Sequence, residues 1–132
     1  MSSDLRKRTK DFALRVVRLF VALPKTAEAR VIGGQVLRSG TSIGANYREA
    51  FRGRSRAEFI AKCGDSLREL DETGYWLELL IDGEIVTAAN LSALCQECHE
   101  LTAIFVTIIK KTRNDESSKT KRPKPPEQPD TS

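Results

Sequence analysis

Apolar residues recur at three- and four-residue intervals along most of the chain, and the first three runs are closed by a proline, a glycine and an Asp-Gly pair in turn. The first run, from Leu5 to Leu23, carries Phe12, Val16, Leu19 and Leu23 at helical spacing, with Ala13, Val17 and Phe20 widening the stripe; Pro24 stops it. Thr26 is placed to cap a second helix reaching to about Arg52, with Glu28 favourably set in its first turn. Gly33, Gly34, Gly40 and Gly44 fall inside that helix, and each interior glycine costs about 0.5–1 kcal/mol relative to alanine. Either the segment breaks into two shorter helices, or Gly40-x-x-x-Gly44 admits another helix at close range. Unbroken helical spacing through Val36, Gly40, Ile43, Tyr47 and Ala50/Phe51 favours close packing.

Gly53 ends the second helix, and Ser55-Arg-Ala-Glu58 forms a capping box for a third. Ile60, Cys63, Leu67, Leu70, Gly74, Leu77 and Ile81 trace the seam of a bundle helix, and Phe59, Trp76 and Leu80 add a second apolar edge. Asp82-Gly83 makes the turn. Thr87 or Asn90 caps a fourth helix whose seam is Leu91, Leu94, Cys98, Leu101, Phe105 and Ile108. It is expected to end at Lys110, Lys111 and Arg113, cations suited to the negative end of the helix dipole. From Asn114 there is no large apolar residue, and four of the five prolines gather there, which predicts a disordered, partly polyproline tail. The expected organisation is one all-α domain over residues 1–113, an antiparallel up-down-up-down four-helix bundle, followed by a tail over 114–132.

At 132 residues, 39% of them hydrophobic, the chain has material for one core. No signal-peptide pattern opens it, and no uncharged apolar run approaches the roughly 18–20 residues that span a bilayer. The expectation is a cytoplasmic protein with no membrane partner. Three cysteines make no disulfide framework, and in a reducing compartment they read as small buried hydrophobes. The net charge of +4 hides a strong asymmetry: residues 1–62 hold 14 Lys/Arg against 5 Asp/Glu, whereas residues 63–109 hold one basic residue, Arg68, against nine acids. Such a distribution points either to a polyanion partner for the basic part or to electrostatic packing between subunits.

The stretch Leu37-Arg-Ser-Gly-Thr-Ser-Ile-Gly-Ala-Asn-Tyr-Arg-Glu-Ala50 resembles the signature of the bacterial four-helix-bundle family typified by 23S rRNA intervening-sequence proteins, whose Ser-Ile-x-x-Asn-x-x-Glu core falls here on Ser42, Ile43, Asn46 and Glu49. The resemblance continues through Ser55-Arg-x-Glu-Phe59, Ser66-Leu-x-Glu69 and Glu72-Thr-x-Tyr-Trp-Leu77, and covers roughly residues 10–112. In the 50–54 link, Ala50, Arg52 and Arg54 stand where some relatives carry glycine, which makes this link more basic. The resemblance implies a four-helix protomer and a ring-shaped homopentamer. It implies little about activity, since most members have none established. A related protein, the accessory variability determinant of diversity-generating retroelements, binds nucleic acid and a reverse transcriptase, but likeness of fold alone does not transfer that function.

Cys95-Gln-Glu-Cys98-His99 matches the c-type haem attachment string and contains a Cys-x-x-Cys pair. It lies mid-helix, with no export signal and no preceding strand, and Cys63 should sit about 13 Å along the bundle axis from Cys98, too far to complete a zinc site. The cysteines therefore read as structural. His99 is the only histidine, so any Ser-His-Asp or Cys-His mechanism would pass through it; on the flank of its seam it reads as an exposed helical side chain. No metal, cofactor or catalytic residue is predicted, and the chain reads as a non-enzyme.

Arg38, Ser42, Asn46 and Glu49 share one face of the second helix, and Glu69 and Glu72 offer partners on the third. This is expected to be a structural polar network fixing helix register or joining subunits. Basic residues gather on the first helix, including Arg8 and Arg15, and around the second link, at Arg48, Arg52, Arg54, Arg56 and Lys62. Phosphate-backbone binding to RNA or DNA without sequence readout is the functional reading of this surface. Apart from Phe51 there is little aromatic interleaving, so stacking on single strands is poorly supported. The alternative is a scaffold that assembles and binds a protein partner, such as a reverse transcriptase or another nucleic-acid enzyme.

Overall fold

Backbone chemistry at the helix starts sets the architecture. In the computed structural model, which describes the backbone of residues 2–121 and the side chains of residues 4–115, four helices follow in order: α1 (Ser2–Ala22), α2 (Ala27–Ala50), α3 (Arg56–Asp82) and α4 (Ala88–Lys121). Among the described residues there is no strand. The Thr26 hydroxyl accepts from the Ala29 N–H, Ser55 from Glu58 and Thr87 from Asn90, so each of these oxygens satisfies a donor that the first helical turn leaves open. The Glu58 carboxylate reaches back to the Arg54 N–H at 2.6 Å, one residue before the position a regular capping box uses.

α2 is one continuous helix, and its glycines are where α1 lies against it. A methyl added at Gly40 would come within 2.8 Å of Val16 Cγ2, one at Gly44 within 3.0 Å of Thr9 Oγ1, and one at Gly33 within 2.3 Å of Leu23 Cδ1. Residue numbers rising along α1 thus meet numbers falling along α2. Gly34 faces open space. The close approach inferred from the glycine spacing is an internal contact of the protomer.

The core runs down the axis through Phe12, Val16, Val36, Ile43, Tyr47, Leu70, Leu77, Leu101 and Phe105. On α3 the buried face differs from the expected seam. Cys63, Leu70 and Leu77 are buried as predicted, but Ser66, Thr73 and Leu80 fill the intervening positions, while Ile60, Leu67, Gly74 and Ile81 are only half-buried. Two hydroxyls can face the core because α2 offers them partners. Ser66 donates to the Ile43 carbonyl at 2.8 Å, and the Thr73 and Ser39 hydroxyls lie 2.8 Å apart. On α4, Ile109 is more deeply buried than Ile108, and the helix runs on past Arg113 to Lys121, beyond the expected start of the tail at Asn114. Residues 122–132 of that tail lie outside the described residues.

At the end of α3, Gly83 has an ordinary negative φ and the left-handed position falls on Glu84, with φ 60°. The amide of Ile85 returns to the Leu80 carbonyl and that of Glu84 to Ile81, which closes the helix end around a residue that bears a steric cost glycine would avoid. α4 packs mainly on α3 and touches α1 sparingly, so a groove stays open between α1 and α4.

Candidate nucleic-acid interface

The start of α1, the end of α2 and the start of α3 meet at one end of the molecule. Thr9 packs against Gly44, the Phe51 and Phe59 rings meet edge to face with centroids 5.6 Å apart, and Tyr47 meets Phe105 of α4 at 5.3 Å. Six of the seven predicted basic residues, Arg8, Arg48, Arg52, Arg54, Arg56 and Lys62, therefore belong to this end. Arg15 sits two turns further along α1 than Arg8, roughly 10 Å away along the helix axis.

The six are not equivalent. Arg8 bridges α1 to α4: its guanidinium donates to Glu97 at 2.6 and 3.0 Å and to Glu100 at 3.0 Å. The bond to Glu97 is the largest of the effects that raise the Arg8 pKa above its ordinary value. The Glu100 carboxyl is held below the usual carboxylate range by hydrogen bonds from Gln96 and then Arg8. Lys62 sits 2.7 Å from Glu49 and 3.7 Å from Asp65, and donates to Asn46 at 3.5 Å. Its pKa is raised, chiefly by the bond to Glu49. Arg8 and Lys62 thus serve the fold first. Arg48, Arg52 and Arg54 are exposed, and Arg56 is half-buried.

The polar stripe of α2 faces α3. Arg38 donates to Glu72 and, at 3.3 Å, to Glu69, and the Glu72 bond is the largest cause of its raised pKa. Asn46 and Glu49 meet Lys62, while Ser42 turns its hydroxyl back to the Arg38 carbonyl and stays within its own helix. The charge asymmetry of the chain is accordingly met in part inside the protomer. Basic α1 and α2 residues pair with acids of α4 and α3 through Arg8–Glu97, Arg8–Glu100, Arg38–Glu69 and Arg38–Glu72.

A cavity of about 490 Å³ opens at the same end, lined by Leu5, Tyr47, Phe51, Phe59, Ile104 and Ile108, with Asp4 and Arg8 as its charged members. Tyr47 is 2% exposed and Phe51 48% exposed, so one ring forms the floor and the other the lip. This aromatic group went unrecognised in the sequence, although the Tyr47/Phe51 spacing of four residues and the position of Phe59 just beyond the link were its signal.

The three thiols are free, with Cys63 and Cys98 buried. Burial pushes Cys63 up to about 11 and Cys98 up to about 12, the opposite of what a nucleophile or metal ligand needs. Cys98 Sγ contacts the Leu70 carbonyl at 3.6 Å, about two turns of α3 from Cys63. His99 is exposed, and among the described residues no three His, Cys, Asp or Glu side chains group to hold a metal. None of the described helices is long and apolar enough to cross a membrane.

A family model described as 23S rRNA-intervening sequence protein matches residues 2–107. The fold is similar to a crystal structure from Bacteroides thetaiotaomicron described as a protein with unknown function from the S23 ribosomal protein family. The two are 42% identical, the match covers 80% of this chain and 98% of that one, and the TM-score is 0.76. No curated protein matches the chain.

Proposed function

This chain belongs to the family of 23S rRNA-intervening sequence proteins, and from that premise we propose that it is a non-enzymatic, cytoplasmic, self-assembling protein that holds nucleic-acid backbone without reading sequence. The observation that carries this reading is the exposure of Arg48, Arg52 and Arg54 at one end of the molecule, beside an open groove, while Arg8 and Lys62 are taken up by internal ion pairs. Exposed cations at such a surface are available to phosphates, and each contact made releases about one condensed counterion.

In this reading the protomer is an antiparallel up-down-up-down bundle, and five copies close into a ring. Leu14, Val17 and Val21 leave an apolar strip on the outer face of α1 with exposures of 41%, 39% and 67%, a surface suited to contact with another subunit. A ring would present the arginine cluster once per protomer, and multivalency would raise its affinity for a long polyanion. The second reading, a scaffold for a protein partner, draws on the same strip, which could serve a different protein as well as a second copy.

The test is fluorescence anisotropy with structured RNA, single strands and duplex, repeated across salt, together with light scattering of the protein. Binding that weakens steeply with salt and varies little with sequence supports the reading. Absence of binding to every nucleic acid at low salt by intact protein rejects it.

A further inference from the structure

Two surface stripes on different helices share one spacing and carry opposite charge. On α1, Lys10, Leu14, Val17 and Val21 recur at i, i+4, i+7 and i+11, and all four are exposed. On α3, Asp71, Tyr75, Glu78 and Asp82 repeat that spacing and are exposed too, Tyr75 by 55%. Each stripe runs about 16 Å along its helix. Arg18 and Lys25 add exposed cations on the α1 side. Asp11, beside the α1 stripe, is held by Lys7 at 2.8 Å, and Arg68, one turn before the α3 stripe, is held by Asp65. Among the described residues Arg18, Lys25, Glu78 and Asp82 form no ion pair.

α1 touches α2 and α4, and α3 touches the same two, but α1 and α3 do not touch each other. The two stripes therefore lie at opposite corners of the bundle. Their heights agree as well. Thr9 of α1 lies against Gly44, while Ser66 of α3 bonds to the adjacent Ile43; Val16 lies against Gly40, while Thr73 bonds to the adjacent Ser39. Counting on from these two levels along both helices sets Leu14 level with Asp71, Arg18 with Tyr75, Val21 with Glu78 and Lys25 with Asp82. Copies standing side by side thus bring the two stripes together with no slide along the helices, as a closed ring requires.

We propose that the α1 stripe of one copy docks on the α3 stripe of the next, with Val17 and Val21 against the Tyr75 ring and Arg18 and Lys25 toward Glu78 and Asp82. The inference rests on the self-assembly in the reading above and adds the two surfaces that meet. The occupant is a second copy because the complementary charge, at matching height, is carried by this chain itself. A contact between two different faces repeats from copy to copy and closes into a ring when the rotation allows.

The experiment is sedimentation velocity on the full chain, with circular dichroism to check that each variant keeps its helices. Arg18→Glu with Lys25→Glu sets acids against acids, and Glu78→Lys with Asp82→Lys sets cations against cations. Each pair of changes alone should weaken assembly on the order of a hundredfold, because like charges then face each other across the contact. All four changes in one chain should restore the oligomer, and so should mixing the two dissociated variants, whose reversed faces complement each other. An oligomer that survives either reversal, or four changes that fail to restore it, overturns the pairing and leaves self-assembly standing. Wild-type protein that stays monomeric at the highest concentration measured overturns both and leaves the stripes to a different protein.

Discussion

The hydroxyl of Thr73 on α3 lies 2.8 Å from that of Ser39 on α2, at a point where both residues are fully buried. Each also reaches a carbonyl of its own helix, Thr73 that of Glu69 at 2.7 Å and Ser39 that of Gln35 at 2.8 Å. With one hydrogen apiece, one hydroxyl donates to the other while the second donates to its own backbone. Thr73→Val keeps the shape and removes the bond between the helices, but leaves Ser39 its carbonyl partner. The expected cost is about 1 kcal/mol, read as a fall in the denaturant midpoint at unchanged m-value. In a Ser39→Ala background the same change should cost less, and equal costs in the two backgrounds would mean the pair is not coupled.

The glycines of α2 divide by what a methyl group would meet. At Gly40 it would stand 2.8 Å from Val16 Cγ2 and 3.3 Å from Val16 Cβ, and a β-branched residue on a neighbouring helix has little freedom to move aside. Gly40→Ala should destabilise by about 1–3 kcal/mol. At Gly34 nothing lies within 4 Å, so Gly34→Ala should gain about 0.5–1 kcal/mol from helix propensity and reduced chain entropy. Thermal melts of the two variants that moved in the same direction would contradict this division.

These glycines also mark how far the sequence could be read. Spacing alone told that Gly40 and Gly44 serve a close approach, because apolar periodicity continued through them. Helix number, the Thr26 and Ser55 caps and the buried positions of Leu70 and Leu101 were legible for the same reason, each resting on local periodicity or local hydrogen bonding. The α3 face was read a fraction of a turn away from its true setting. Hydrophobicity scores Ser66 and Thr73 as surface residues, and only the Ile43 carbonyl and the Ser39 hydroxyl, distant in sequence, let them face inward. The basic cluster was visible as composition. That Arg8 and Lys62 are engaged by Glu97 and Glu49, and that Phe51 meets Phe59 across the link, depends on which helix ends come together, and local pattern does not encode that.

The thiols make a prediction about alkaline pH. An unfolded cysteine ionises near 8.5, whereas Cys63 and Cys98 in the folded chain hold their protons up to about 11 and 12. Between these limits the folded state binds more protons than the unfolded state, so stability falls as pH rises above about 8.5 and the loss continues to about 11–12. Replacing both residues by alanine should flatten that part of the stability profile, apart from any cavity cost at neutral pH. Alkylation with iodoacetamide at pH 8 should label half-buried Cys95 first in native protein, and all three thiols together once denaturant is added. Rapid labelling of native Cys98 would show that its site is open.

The arginines separate binding from folding. Arg48, Arg52 and Arg54 are exposed at the candidate interface, while the Arg8 guanidinium joins α1 to α4 through Glu97 and Glu100. Changing Arg48, Arg52 and Arg54 together to glutamine should leave the helices and the melting temperature nearly unchanged. If all three touch phosphate, the slope of log affinity against log salt should become shallower by about 2–3, at roughly 0.7–0.9 for each phosphate no longer neutralised. Arg8→Gln should act the other way, loosening the junction between α1 and α4 with little effect on the slope. Exposed pairs contribute little, but Glu97 is largely covered, and removing its partner leaves a carboxylate without its cation. Circular dichroism melts and salt-dependent anisotropy on the two variants decide the matter. If the triple variant kept the wild-type salt slope, phosphates would not be meeting this end of the protein. If it failed to assemble while Arg8→Gln still formed the oligomer, these arginines would be joining subunits, and the scaffold reading would replace the nucleic-acid one.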